Sequence, residues 1–298
     1  MTTRPLLKVE HLCQHFKLSG NFTVKAVNGV SFEIQPGETY GLVGESGSGK
    51  TTIGRSIIRL YDPTDGEILF NGKKISGKLD RETTRMLRKD MQMIFQDPMS
   101  SLNPRKKIAD IIGEGLDIHG ICSGKQERNE IISGMLRKVG LSPAHAERYP
   151  RQFSGGQRQR IGIARALVMQ PKLIIADECI SALDVSIQAQ VVNLMKDIQE
   201  ETKCAYLFIA HDLSMVKYIS DRIGVLHRGY LVETGTTQEI FSRPEHPYTK
   251  SLLSAVPCPN PRVERSRHFL PYSSDGTEYE NGRMRQISDT HFVLEHVS

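Results

Sequence analysis

Gly44-Glu45-Ser46-Gly47-Ser48-Gly49-Lys50-Thr51 follows the pattern G-x-x-x-x-G-K-T, and each residue type in it has a use against phosphate. Glycines let backbone N–H groups turn inward around an anion, and a helix beginning at the lysine presents the positive end of its dipole. The lysine reaches the β- and γ-phosphates, and the threonine hydroxyl ligates Mg²⁺. Such a loop needs a strand before it and a helix after it. Tyr40 to Val43 is an apolar run of strand length and Thr52 to Leu60 is helix-like, so a Gly- and Ser-rich surface turn is the poorer explanation. The natural guest is a nucleoside triphosphate held by Gly44 to Thr52. A second set of chemical groups closes the apolar run Leu173 to Ala176: the carboxylates Asp177 and Glu178. Acids at the carboxyl end of a buried parallel strand face the crevice in which α/β proteins bind ligands. Asp177 then holds Mg²⁺ through water and Glu178 polarises an attacking water as general base. Alone, the pair reads as a strand end with solvated charges; beside a phosphate loop it reads as chemistry.

Phe153-Ser154-Gly155-Gly156-Gln157, followed by Arg158, Gln159, Arg160 and a predicted helix from Ile161, sets a hydroxyl and glycine amides at a helix start. One chain therefore carries two anion-binding loops. The elements that position them are legible from period. Val30 to Ile34 alternates apolar and polar residues as a half-buried strand does. Glu67 to Phe70, Asn71-Gly72 and Lys73 to Ile75 read as a hairpin, because Asn-Gly accepts the positive φ angles of a type I′ turn. Between Lys106 and Leu141 the apolar residues recur at helical spacing, Ile108, Ile111, Ile112 and Leu116, then Ile131, Ile132, Met135, Leu136 and Val139. Leu173 to Ala176 and Ala205 to Ala210 are runs typical of strands buried on both faces, with a helix pattern between them at Ile187, Val191, Leu194, Met195 and Ile198. Strand, helix, strand implies a parallel sheet. From Pro257 onward Pro, Arg, Ser and Asp dominate without period, and an irregular appendage of balanced charge is predicted there.

The 298 residues suffice for a full α/β core without disulfides or metals. Apolar residues at 38%, charged residues at 24% and a mean hydropathy of -0.35 argue against extensive disorder. No apolar run approaches the roughly 18–20 residues of a membrane-spanning helix, so any membrane role is peripheral. The formal charge of +5 comes without a block of like charge and gives no indication of a nucleic-acid partner. The five cysteines are scattered, with no Cys-x-x-Cys pair, as reduced thiols in a cytosolic protein would be. With no apolar signal segment behind Met1, the chain is expected inside the cell.

In their order and spacing these motifs resemble the ATP-binding cassette (ABC) family, whose signature Leu-Ser-Gly-Gly-Gln appears here with Phe153 in place of Leu. The resemblance covers roughly residues 6 to 257. It implies an α/β P-loop NTPase (RecA-like) core with an antiparallel β subdomain, a helical signature subdomain and a short C-terminal extension. The corresponding boundaries are 1–257 for the ATPase domain, with its core at about 1–96 and 161–257 and its helical subdomain at about 97–160, and 258–298 for the extension. It also implies that the signature of one cassette, here Ser154, Gly155, Gly156 and Gln157, closes over ATP held by the loop of another. A chain with a single cassette must then pair. Gln96, within Met93-Ile-Phe-Gln-Asp-Pro98, is similar to the glutamine that touches Mg²⁺ and the attacking water. Ser181-Ala-Leu-Asp184 resembles the loop that places Asp184 near nucleotide, and His211 resembles the histidine that contacts the γ-phosphate. Phe16 is the candidate for stacking on adenine, with Phe22 second. Singly, a glutamine in a loop or a phenylalanine near a strand is usually structural.

Met93 to Pro104, Ser181 to Gln190 and His246-Pro-Tyr-Thr-Lys-Ser-Leu-Leu-Ser-Ala-Val-Pro257 narrow the resemblance to the ATPase subunits of bacterial oligopeptide and dipeptide importers. That subfamily implies a heterodimer with a second ABC ATPase, two transmembrane permeases and an extracellular peptide-binding lipoprotein, with this chain on the cytoplasmic face of the plasma membrane. Nickel and other small-solute importers share these motifs. A ribosome-acting cassette protein would carry two cassettes, and a DNA-repair cassette a long coiled coil; neither is present. Two departures stand out. Relatives with an iron-sulfur cluster have a cysteine-rich end, whereas this tail has only Cys258, too few thiolates for four ligands, so no cluster is expected. Where relatives usually have Pro-Thr or Pro-Val after the glutamate, this chain has Cys179-Ile180. Cys179 is either a small buried residue or a thiol that makes activity sensitive to alkylation.

Overall fold

The computed structural model describes residues 4–18, 23–256 and 269–295. Among them the strands are, in chain order, β1 (Leu7–Lys17), β2 (Thr23–Ile34), β3 (Thr39–Val43), β4 (Asp65–Phe70), β5 (Lys73–Lys74), β6 (Met91–Ile94), β7 (Leu173–Asp177), β8 (Ala205–Ile209), β9 (Arg222–His227), β10 (Tyr230–Thr236), β11 (Arg283–Gln286) and β12 (Phe292–Glu295). The chain divides into two compact units, Met1–Lys78 with Leu207–Ser298, and Leu79–Tyr206, so the division falls inside β8.

In the first unit β1 is flanked by β2 and β4 in an antiparallel sheet of order β2-β1-β4-β5. The hairpin at Asn71-Gly72 closes it as the sequence implies, with Asn71 at φ 48, Gly72 at φ 75 and Phe70 opposite Lys73. A second run of strands begins with β3, buried along its whole length, which pairs in parallel with β9 from Tyr40↔Arg222 to Val43↔Val225. Two-sided burial accounts for its apolar run from Tyr40 to Val43. β9 turns into β10, and there the tail departs from expectation. β12 adds to β10 with Glu233 opposite Val293, and β11 pairs with β12 from Arg283↔Glu295 to Gln286↔Phe292. The segment read as irregular therefore ends in a hairpin that extends the sheet. Its period is hidden because β11 is exposed along its whole length and carries charge, Arg285 pairing with Glu295 at 2.6 Å.

The second unit pairs β6 with β7 in parallel, Met91↔Leu173 through Ile94↔Ala176. The helical insert forms as its period predicts. Ile108, Ile111, Ile112 and Leu116 are buried on the helix Ile108–His119, and Ile132 and Leu136 on the helix Lys125–Lys138. The first helix stops at Gly120, which adopts the left-handed conformation at φ 63. Arg128 then joins the two helices, its Nε and Nη2 donating to the Asp117 carboxylate at 2.7 and 2.9 Å. The helix after the signature motif starts at Gly155, six residues earlier than the apolar period alone indicates, because Ser154 caps it. Ser154 Oγ accepts from the Gln157 N–H at 3.3 Å and Gln157 Oε1 accepts from the Ser154 N–H at 3.0 Å, a reciprocal capping box.

Candidate nucleotide site

In the first unit β3 ends at Val43, the loop follows, and the helix Lys50–Ile57 begins with Gly49 as its N-cap. No acidic residue lies in the first turn of that helix, which leaves its positive end open to an anion. Gly44 sits at φ +148, and a Cβ there would lie 2.0 Å from the Leu226 carbonyl oxygen of β9. Gly47 sits at φ +82 with open space around it. The loop tip, Glu45, Ser46 and Gly47, is exposed, while Ser48 and Lys50 are buried and Thr51 and Thr52 half-buried. Lys50 Nζ donates to the carbonyl oxygens of Gly44 and Glu45 at 2.8 and 2.7 Å. The ammonium is thus tied to the backbone of the loop. His211, two residues past the end of β8, is exposed, and the next residue, Asp212, caps the helix Leu213–Ile219. Phe16 lies half-buried on β1 with Tyr61 edge-on at 5.2 Å. Phe22 falls outside the described residues.

In the second unit the parallel register decides the geometry. Ile94 lies opposite Ala176, so two further residues along each strand direction bring Gln96 and Glu178 out together at the same sheet end. Gln96 Nε2 donates to Glu178 Oε2 at 2.9 Å. Asp177, the last residue of β7, is buried, whereas Glu178 is half-buried and left-handed at φ 45. For a non-glycine residue this conformation is sparsely populated, and here the turn beyond it holds it. The Ser181 hydroxyl and N–H both donate to the Glu178 carbonyl, at 2.8 and 3.1 Å, while Cys179 and Ile180 are buried beneath. Burial pushes the Cys179 thiol up to about 12, which favours its protonated form at neutral pH. This burial favours the packing reading of Cys179. Asp184 is exposed and starts the helix Val185–Thr202. Phe153, the signature's first residue, is buried with the His145 ring edge-on at 5.2 Å.

Among the described residues no three His, Cys, Asp or Glu side chains cluster as a metal cage. Mg²⁺ keeps most of its water and takes one or two protein oxygens beside those of phosphate. The buried Asp177 carboxylate and the Thr51 hydroxyl in the first helical turn are oxygens of that kind. Cys258 lies outside the described residues.

One contact was not legible in the sequence. The Glu45 N–H of the phosphate loop donates to the Tyr248 hydroxyl at 3.0 Å, across 203 positions of the chain. His246-Pro-Tyr248 stands out as a motif, but nothing in its composition points at the loop.

Residues 27–181 match the family described as ABC transporter. The chain belongs to the ABC transporter family. A second match, residues 232–277, is to the C-terminal region of oligopeptide and dipeptide transporters. This ABC chain is 58% identical to the oligopeptide transport ATP-binding protein OppF of Bacillus subtilis over 98% of its own length and 96% of that protein's. It is 55% identical to the dipeptide transport ATP-binding protein DppF of Lactococcus lactis, over 98% and 94% of the two chains. Among solved structures it resembles a dimeric ATP-binding cassette bound to ADP and phosphate after hydrolysis, with TM-score 0.70, 29% identity and coverage of 78% of this chain and 98% of the other. It also resembles cbiO1 of Clostridium perfringens, part of the ABC transporter complex cbiONQ, with TM-score 0.71, 26% identity and coverage of 88% and 98%. The α/β fold is that of a P-loop ATPase, and the chain is an ABC ATPase.

Proposed function

We propose that this ABC ATPase energises uptake of oligopeptides or dipeptides through a bacterial membrane importer. The observation that carries the reading is the near full-length identity to peptide-transport ATPases together with the match of residues 232–277 to their C-terminal region. In this reading the loop Gly44–Thr52 cradles the phosphates of ATP, Lys50 balances the charge on the β- and γ-phosphates, and Phe16 stacks on the adenine. Thr51, Asp177 and Gln96 would hold the Mg²⁺ carried with the nucleotide, which would draw charge from the phosphate oxygens. Glu178 takes a proton from water as the water oxygen bonds to the γ-phosphorus and the bond to the β-phosphate oxygen breaks. Gln96, which donates to the Glu178 carboxylate, fixes the direction in which that base points. His211 meets the γ-phosphate, and most of the acceleration comes from positioning and charge stabilisation.

The partners proposed are a second ABC ATPase in a heterodimer, two transmembrane permeases and an extracellular peptide-binding lipoprotein. Ser154, Gly155, Gly156, Gln157 and Asp184 then serve the ATP held by the partner ATPase. The reciprocal box at Ser154 and Gln157 supports that role, since it fixes the helix start whose free N–H groups would meet the γ-phosphate. The helical segment 97–160 is the surface proposed to meet the permeases. The chain is proposed as a peripheral subunit at the cytoplasmic face; among the described residues no helix is long and apolar enough to cross a membrane. The test is to tag the chain in its native cell, solubilise the membranes gently and identify stoichiometric partners by mass spectrometry. Two polytopic permeases, a second cassette ATPase and a peptide-binding lipoprotein are expected; recovery with ribosomes, with DNA or alone would overturn the transport reading.

A further inference from the structure

Both ends of one peptide unit in the phosphate loop are held by side chains. The unit joins Gly44 to Glu45. Its carbonyl, on Gly44, accepts from Lys50 Nζ at 2.8 Å, and its N–H, on Glu45, donates to the Tyr248 hydroxyl at 3.0 Å. In a trans peptide the C=O and N–H point in opposite directions, so the two side chains restrain the plane from its two edges. The next carbonyl, that of Glu45, is the second acceptor of the same ammonium at 2.7 Å. The orientation of this plane therefore places two of the acceptors that hold the Lys50 ammonium.

Tyr248 is itself fixed in place. It lies in the first turn of the helix Pro247–Ser254 and is buried, with its ring stacked on His227 at a centroid distance of 4.1 Å. The His227 Nδ1 is 2.8 Å from the Tyr279 hydroxyl, which is 2.8 Å from the Tyr272 hydroxyl. Both tyrosines belong to the segment 269–295. The start of the helix is anchored from the sheet: the buried Glu233 carboxylate accepts from the N–H groups of Glu245 and His246 at 2.8 and 3.0 Å, and His291 Nε2 lies 2.7 Å from it. A connected set of rings and hydrogen bonds thus runs from the C-terminal segment to the phosphate loop, all within the first unit.

We propose that Tyr248 is a positioning residue for nucleotide binding, clamping the Gly44–Glu45 peptide against Lys50, and that the segment 269–295 holds Tyr248 in place through Tyr279 and His227. The proposal rests on the reading of the loop as the ATP site. It gives the C-terminal segment a part in ATP affinity. Tyr248→Phe keeps the ring and its stack and removes only the acceptor.

The test measures binding of the fluorescent nucleotide mant-ATP with Mg²⁺ to the full chain by titration, beside the thermal midpoint of the nucleotide-free protein. Tyr248→Phe is expected to weaken binding about fivefold, the worth of one hydrogen bond, with the midpoint unchanged within about 2 °C. Tyr279→Phe, further from the loop, is expected to weaken it about twofold and serves as the second variant. In ATP turnover by the assembled transporter, Tyr248→Phe raises KM for ATP and leaves kcat, a split that a general loss of folded protein does not produce. Lys50→Ala separates the two readings. If Lys50→Ala loses binding while Tyr248→Phe and Tyr279→Phe bind as wild type does, the clamp is wrong and the ATP site stands. If wild type does not bind, or Lys50→Ala binds equally well, the site reading fails and the clamp with it.

Discussion

Replacing either of two loop glycines by alanine adds the same methyl group, yet the structure assigns the two changes different consequences. At Gly47, φ +82 with nothing within 4 Å of the new Cβ, the cost is backbone strain alone. A left-handed conformation costs an ordinary L-residue about 1–2 kcal/mol, and the exposed loop tip can relax when nucleotide is absent. The strain is then met on binding, so nucleotide affinity falls by roughly 5–30-fold while the fold is untouched. At Gly44, φ +148, the Cβ would lie 2.0 Å from the Leu226 carbonyl oxygen, where ordinary contact begins at 3.4 Å. Relief requires more than an ångström of separation from β9. The neighbouring pair Val43↔Val225 resists this, because it belongs to the parallel ladder of β3 and β9. Strain of about 1–3 kcal/mol and overpacking of about 1–3 kcal/mol add to a stability loss on the order of 4 kcal/mol. Gly44→Ala should therefore lower the thermal midpoint by at least about 5 °C and also lose mant-ATP binding, whereas Gly47→Ala loses affinity at an unchanged midpoint. Equal midpoints for the two variants would refute the close approach to Leu226 as a constraint on the loop.

Two further outcomes follow from buried groups. Because the Cys179 thiol is buried and pushed up to about 12, N-ethylmaleimide at neutral pH should inactivate wild type and Cys179→Ala at the same rate; protection by Cys179→Ala would contradict this. His246 is held down from 6.5 to about 4, by burial foremost and against the pull of Glu233. The unfolded chain therefore takes up this proton at higher pH than the folded chain does, and stability falls as pH drops through the window from 6.5 to about 4. The urea midpoint should fall between pH 7 and pH 4.5, and fall less in His246→Asn, which keeps a side-chain acceptor for the Tyr248 N–H; identical falls would remove His246 from the cause.

The parts legible in the sequence are those whose chemistry is local. The phosphate loop is one stretch of chain between a strand and a helix, and Asn71-Gly72 fixes its turn by φ alone. The pairing of Gln96 with Glu178 could be approached through resemblance, and the register Ile94↔Ala176 supplies its physical reason. The helix start at Gly155 is not given by the apolar period, which begins at Ile161; the cap at Ser154 decides where the helix begins. The C-terminal hairpin escaped because its strands are four residues long and β11 is wholly exposed, leaving no alternation to detect. The Tyr248 contact escaped for a different reason: it joins residues 203 positions apart, and only the folded first unit brings them together.

The measurement that tests the central claim most directly is ATP turnover by the complete transporter in proteoliposomes, with and without peptide and its binding protein, in a complex whose second ATPase subunit has been disabled. With wild-type chain, peptide should stimulate turnover; Glu178→Gln should still bind mant-ATP yet turn over at least about 100-fold more slowly, the loss expected on removing a general base. Undiminished turnover by Glu178→Gln, or turnover indifferent to peptide, would contradict the account.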